Sequence, residues 1–327
     1  MTSFQLPPAI FTENAITRAE RAYQQNVSET SPRQRWINRA IKGIVAAYAL
    51  LQLGILLVAS LTQTNPVPIA GQLLPFSALL VIIVIYYHFY LMFQAITLSA
   101  NSIMREKEYK KAWETLVRSG VHARQIVWGK WWVTVQGLLP RYLLLGVLRV
   151  GGTAAVGMLF LAVLVSELGN NHIQSPHPMT ILVASLLAIL LTVANLGFSA
   201  ACGIMSAAVG KVTSPVIELG FVSQAVMSLV PAIMLMFIFY RPAEPLFQSI
   251  YFPIAIAGAS LADNGFSVLS LPLMAFSASN DTSHYSATVS LTFYAALLTL
   301  IFYIVLIVFA LRVAERGLKR SLVNPSS

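Results

Sequence analysis

Residues 74–130 read LPFSALLVIIVIYYHFYLMFQAITLSANSIMREKEYKKAWETLVRSGVHARQIVWGK. From Leu74 to Leu98 the stretch holds no Lys, Arg, Asp or Glu. As a helix rising 1.5 Å per residue, that run is about 37 Å long, enough to cross a hydrocarbon core of about 30 Å. From Met104 to Lys130 the chain is polar and mostly basic. The first half belongs in lipid and the second in water. A chain crossing lipid must satisfy its own backbone hydrogen bonds, so the apolar run is read as a helix. The ten-residue alternation of a membrane β-barrel is missing.

The rest of the composition agrees. The chain has 327 residues, 57% of them apolar and 10% charged, with a mean hydropathy of +0.73. Soluble domains carry roughly 25% charged residues. The expectation is an all-α, polytopic membrane protein. The net charge of +9 would raise nucleic acid as a partner for a soluble protein. Here basic residues are expected to flank spans and meet anionic headgroups, and no nucleic acid partner is expected. The single cysteine, Cys202, lies in an apolar run, so neither an intrachain disulfide nor thiol chemistry is expected. The first forty residues hold no signal-peptide core, so the first span is expected to act as the insertion signal.

Taken in order, residues 1–32 read as a polar cytoplasmic tail. Residues 33–42, RQRWINRAIK, set Trp36, Ile37 and Ala40 among four cations. That pattern predicts an amphipathic interfacial helix; the plainer alternative is a basic flank of the first span. A six-span transmembrane domain is expected over 43–311. The first span covers about 43–61 and the second 74–98, with His88 as a packing residue among tyrosines. A cytoplasmic coupling region follows over 99–150. Within it, Trp131 to Val150 contains Pro140, Arg141 and Arg149. A central arginine costs roughly 2.5–3.5 kcal/mol on insertion scales. This piece is therefore expected to lie along the interface, leaving 151–166 as the third span. Residues 167–178 read as an outer loop, and the spacing of Glu167, His172 and His177 fits no standard zinc pattern, so no metal is expected. The fourth span is placed at 179–205 and the fifth at 216–240. An outer re-entrant element is expected within 241–286, the sixth span at 287–311, and a cytoplasmic tail over 312–327. No internal repeat is visible.

This arrangement puts twenty of the twenty-one Lys and Arg residues on one side, with only Arg241 opposite. The positive-inside rule makes that side cytoplasmic. A multi-pass protein of the plasma or inner membrane, with both termini cytoplasmic, is the expected localisation.

The polar stretch itself reads as two short helices. Arg105 to Arg118 carries Ala112 and Leu116 on one face, Ser119-Gly120 breaks it, and Ala123 to Lys130 follows with Ile126 and Val127 apolar. Apolar anchors framed by charges suit a protein groove. An ordinary solvated loop explains the same residues equally well on physical grounds.

The stretch also resembles the coupling segment in permease subunits of type-2 ABC exporters. That family has an R-E-R-E-like start, then Gly-Thr-x-Glu, Leu-Leu, Thr-Pro and an Ile-x-x-Gly-Lys close. Here Arg105, Glu106, Lys107 and Glu108 match the start. Trp113-Glu114, Leu116-Val117 and Ile126-Val127-Trp128-Gly129-Lys130 match the later parts. Lys111-Ala112 stands where Gly-Thr is usual, and Ser119-Gly120 where Thr-Pro is usual. The layout of spans and loops extends the resemblance to most of the chain.

The resemblance implies a membrane subunit driven by a separate ABC ATPase, paired with a second permease subunit in a homo- or heterodimer. The residues implied in docking the ATPase are Arg105, Glu106, Glu108, Trp113, Glu114, Leu116, Arg118, Gly120, Arg124, Ile126 and Lys130. ATP and magnesium would sit on the partner. This chain has no P-loop, since Gly129-Lys130 is followed by Trp131, and no cofactor of its own is expected. It is not expected to be an enzyme by itself. An intramembrane enzyme would need clustered polar catalytic groups, and neither H-E-x-x-H nor G-x-S-x-G occurs. A non-transporting scaffold or sensor subunit would use the same loop and remains the alternative. The apolar spans and small outer loops favour a hydrophobic or amphiphilic cargo.

Overall fold

The computed structural model describes residues 32–62, 67–108, 122–168, 178–210, 213–239 and 282–323. These form six helices: α1 (Pro32–Thr62), α2 (Val67–Glu108), α3 (Ala123–Leu168), α4 (Pro178–Val209), α5 (Thr213–Phe239) and α6 (Thr282–Val323). There is no β-strand among the described residues. Five of the helices, α1, α2, α3, α4 and α6, are long and apolar enough to cross a membrane, and the apolar part of α5 is shorter. The chain is an all-α integral membrane protein.

Helices α2, α3 and α4 pack against one another. Helix α1 lies on α3, α6 lies on α4, and α5 fills the side between α2 and α4. The outer surface is apolar, as lipid contact requires: Ile44, Val58, Ile82, Leu186, Val226 and Ile304 are all exposed. The interior is built from small residues and back-bonded hydroxyls. Ser99, Thr134, Thr192 and Thr299 each donate to a carbonyl four residues earlier in their own helix, at 2.7–3.0 Å. Such bonds satisfy a hydroxyl where water is absent.

Two expectations about the helices need correction. The interfacial helix at 33–42 is not separate, because α1 runs unbroken from Pro32 to Thr62. Gly43 meets no neighbour within 4 Å where a side chain would stand, and a lone glycine does not stop a helix. Nor does 131–150 form its own interfacial piece. It is the middle of α3, which continues through Pro140 and through Gly151-Gly152 for 46 residues, about 69 Å. The insertion cost of arginine had been charged to an isolated helix facing lipid. In the bundle, Arg149 is fully buried and donates to Thr192 on α4 at 3.0 Å, so it never faces lipid.

α3 stays helical through the two glycines after Arg149, and the first of them lets it be approached. A Cβ on Gly151 would stand 2.5 Å from the Cα of Ala49 on α1. Gly203 plays the same part between α4 and α2, where a Cβ would come 2.5 Å from the carbonyl oxygen of Ile96. Small residues at such crossings bring helix backbones close enough for dispersion and weak polar contacts to hold them in lipid.

The expected ends shift as well. Residues 312–323, expected in a tail, extend α6, and Ala314 and Leu318 are fully buried. Glu167 ends α3, while His172, His177 and the re-entrant stretch up to residue 281 lie outside the described residues.

Gly203→Val and Gly151→Val should therefore overpack their crossings and destabilise the protein by about 1–3 kcal/mol each. Gly54→Ala, at a site with no neighbour within 4 Å, should be neutral or stabilising. Thermal unfolding of the three purified variants in one detergent checks the order; equal midpoints would refute the close crossings.

Candidate docking site and the polar interior

The polar stretch sits between the two long helices α2 and α3, which both reach the same end of the bundle. Residues 109–121 lie outside the described residues; their two attachments do not. Glu106 and Glu108 occupy the last turn of α2. On the other side, α3 starts at Ala123 with a cap that the sequence supplies. The His122 carbonyl accepts from the Gln125 amide at 2.8 Å, and the Gln125 side chain accepts from the His122 amide at 3.3 Å. This is the reciprocal logic of a capping box, with glutamine at the third helical position.

The second short helix expected over 123–130 is the first two turns of α3 rather than an independent piece. Its apolar face is already occupied. Ile126, Val127 and Trp128 are buried together with Ile103 and Met104 of α2, Ala207 and Ala208 of α4, Val216 of α5 and Leu311, Ala314 and Leu318 of α6. Five helices thus converge at the two helix ends that flank the polar stretch. Three polar contacts fasten the knot. Trp128 Nε1 donates to Glu315 Oε1 on α6 at 2.7 Å, and Arg124 stands 4.0 Å from the same oxygen. Lys130, fully buried, donates its ammonium to the Ser102 carbonyl on α2 at 2.6 Å.

The expected docking residues therefore separate. Arg105 is partly exposed at the end of α2, and Arg124 is exposed at the start of α3. Ile126 and Lys130 face the chain's own core and offer no surface to a partner. Trp113, Glu114, Leu116, Arg118 and Gly120 lie outside the described residues, as do the side chains of Glu106 and Glu108. The sequence reading missed Glu315 and Ser102, which bind the stretch's base together. The signal for Glu315 was available: Ala310, Leu311, Ala314 and Leu318 keep a helical period past Leu311, with cations only on the other face.

Farther along the bundle lies a second polar group. Arg149 reaches Thr192, and His88 on α2 and Tyr142 on α3 both lie within its electrostatic reach. His88 is buried against Phe89, ring centroids 5.7 Å apart. From their first described residue to Leu311, α1, α2 as far as Arg105, α4 and α6 contain no Asp or Glu. The interior cations are thus met by neutral acceptors.

No protein-family model, curated protein or solved structure matches this chain. The arrangement alone defines a helical membrane protein in which the helix ends flanking the polar stretch share a five-helix base.

The Trp128–Glu315 contact should couple the two side chains. In a double-mutant cycle of Trp128→Phe and Glu315→Ala, the interaction energy should come to about 1.5–3 kcal/mol, the scale of a hydrogen bond to a charged group. Chemical denaturation in detergent reads it, and strict additivity would mean that the bond contributes nothing.

Proposed function

We propose that this chain is the transmembrane subunit of an ATP-driven transporter of the type-2 ABC exporter class, powered by a separate ATPase that docks on residues 105–130. The reading rests first on the resemblance of that stretch, Arg105 to Lys130, to the family's coupling segment. One structural observation carries it further. The end of α2 and the start of α3, which the stretch connects, lie in a base where α2, α3, α4, α5 and α6 pack together. A partner pressing there would act on five helices at once. A solvated loop with no coupling role has no need of such a base.

In this mechanism the ATPase is the ligand and the membrane bundle the two-state element. ATP binding would draw two ATPases together, each carrying its permease subunit by the docked stretch. A ligand shifts a conformational equilibrium only by its differential affinity for the two states. The docking contacts must therefore differ between the inward- and outward-open forms. Rigid-body movement of whole helices is the transition such a base would transmit. Arg105, Glu106, Glu108 and Arg124 at the two attachments, with Trp113, Glu114, Leu116, Arg118 and Gly120 between them, form the docking surface. Ile126 and Lys130 position that surface without touching the partner. The docked side is cytoplasmic, by the clustering of basic residues there. A hydrophobic or amphiphilic cargo fits the apolar bundle.

The test is co-purification of the tagged protein from its native membrane in mild detergent. A stoichiometric ATPase should accompany it, and the complex should hydrolyse ATP. Glu108→Lys, Glu114→Lys and Gly120→Trp should each reduce the retained ATPase about tenfold or more, the consequence of losing 1.4 kcal/mol of binding, while membrane insertion stays normal. Full retention in all three variants would rule out the docking assignment.

A further inference from the structure

Helices α1 and α3 run in the same direction, with Ala49 against Gly151. Seven residues before Ala49 stands Lys42; ten residues before Gly151 stands Arg141. Helix α2 runs the opposite way, with Val84 3.5 Å from the Cβ position of Gly152, and ten residues beyond Val84 stands Gln94. By helical rise all three lie about 10–15 Å toward the basic end of the bundle. Arg141 Nη1 donates to Gln94 Oε1 at 2.7 Å. Lys42 is close enough to Arg141 for the two cations to repel, and the Tyr87 ring is also within reach of the guanidinium.

Every group here other than Gln94 Oε1, already taken by Arg141, is a donor: the ammonium, the remaining guanidinium N–H groups, the Gln94 amide nitrogen and the Tyr87 hydroxyl. That hydroxyl is buried and has no hydrogen-bond partner among the described residues. Neither Lys42 nor Arg141 has an acidic partner among them. Two cations side by side are unfavourable where the dielectric is low, and elsewhere on α3 Arg124 has Glu315. Lys42 is nonetheless exposed, as are its neighbours Ile41 and Ile44, Tyr90 across on α2 and Leu143 on α3. The cluster is a donor-rich, doubly positive notch opening sideways onto the apolar face of the bundle.

We infer that the notch formed by Lys42, Arg141, Gln94 and Tyr87 binds the phosphate of an anionic phospholipid from the leaflet at the basic end. An anion is what the charges need, and a guanidinium and an ammonium together hold a phosphate well. The sideways opening selects a phosphate that arrives with acyl chains, which can lie along Ile41, Ile44 and Leu143. The groups come from three helices, so the headgroup ties α1 to the α2–α3 hairpin. This inference stands apart from the ATPase reading, because it needs no partner protein.

Native mass spectrometry of the purified protein, titrated with phosphatidylglycerol, phosphatidylcholine or inorganic phosphate, tests it. Wild type should retain one phosphatidylglycerol more tightly than phosphatidylcholine. Lys42→Gln and Arg141→Gln should each weaken that one adduct about fivefold, the effect of one Lys or Arg beside an anionic headgroup. Arg312→Gln, at an exposed cation elsewhere on the same end, should not. Lys42→Gln changes an exposed side chain, so the test survives if Arg141→Gln fails to fold. Equal retention of the two lipids, or equal loss in Arg312→Gln, overturns the site. Binding of inorganic phosphate as tight as that of phosphatidylglycerol overturns the lipid as its occupant.

Discussion

Beyond Arg124 at its start, helix α3 carries three cations, Lys130, Arg141 and Arg149, through a bundle whose surface is built for lipid, and the packing around it follows from that constraint. Each cation is met by a neutral oxygen on a neighbouring helix: the Ser102 carbonyl for Lys130, the Gln94 amide for Arg141 and the Thr192 hydroxyl for Arg149. Two of the acceptors are on α2 and one on α4, the helices that flank α3 on its buried side. A charge in hydrocarbon would cost several kcal/mol more than one given such partners. The three bonds therefore fix the rotation of α3 about its own axis. They also explain why a 46-residue helix with an internal proline remains one helix: its polar groups have somewhere to go without breaking it.

With α3 oriented, the small residues become intelligible. Gly151 faces Ala49, because the cations that precede it on α3 turn toward α2 and α4 and leave α1 the remaining face. Gly203 faces Ile96 for a similar reason, since Ser99 and Ser102 next to it supply the polar side of the α2–α4 seam. Close backbone approach at these points carries the van der Waals attraction that takes the place of the hydrophobic effect inside a membrane.

The class of fold was legible because it depends on composition and run length, which are local. The expected spans one, two, four and six fall on helices long and apolar enough to cross a membrane for the same reason, whereas the fifth falls on α5, whose apolar part is shorter. What failed was continuity. At Lys42–Gly43 and at Val150–Gly151 the sequence offers glycine and a change of character, and both were read as ends. A glycine ends a helix only when the chain must turn there, and neither place has a turn. The third error concerned arginine. Its insertion cost is correct for a helix facing lipid, and Thr192 lies 43 residues away from Arg149 in sequence, so no local reading could supply the partner. At the candidate docking site the start of α3 at Ala123 is legible from the Ser119-Gly120 break before it, whereas the burial of Ile126 and Lys130 is not. An apolar residue beside charges looks the same whether it awaits a partner or packs on Leu311 and Leu318 of its own chain.

The base beneath the polar stretch has a mechanical consequence. Interfaces between packed helices move between discrete arrangements and do not deform smoothly. Buried Lys130 and Ile126 make the base of the stretch continuous with the core, so a push on the stretch cannot be absorbed by the base alone. Helix α1 contacts mainly α3, and α5 contacts mainly α4 and α2, so their outer faces carry exposed apolar side chains such as Val58 and Val226. Displacement at the base would therefore pass along α2, α3, α4 and α6 as rigid bodies and emerge as relative movement of the less engaged helices. That asymmetry, tight at one end and loose at the periphery, is the form a membrane protein needs if a soluble partner is to move it from outside the bilayer.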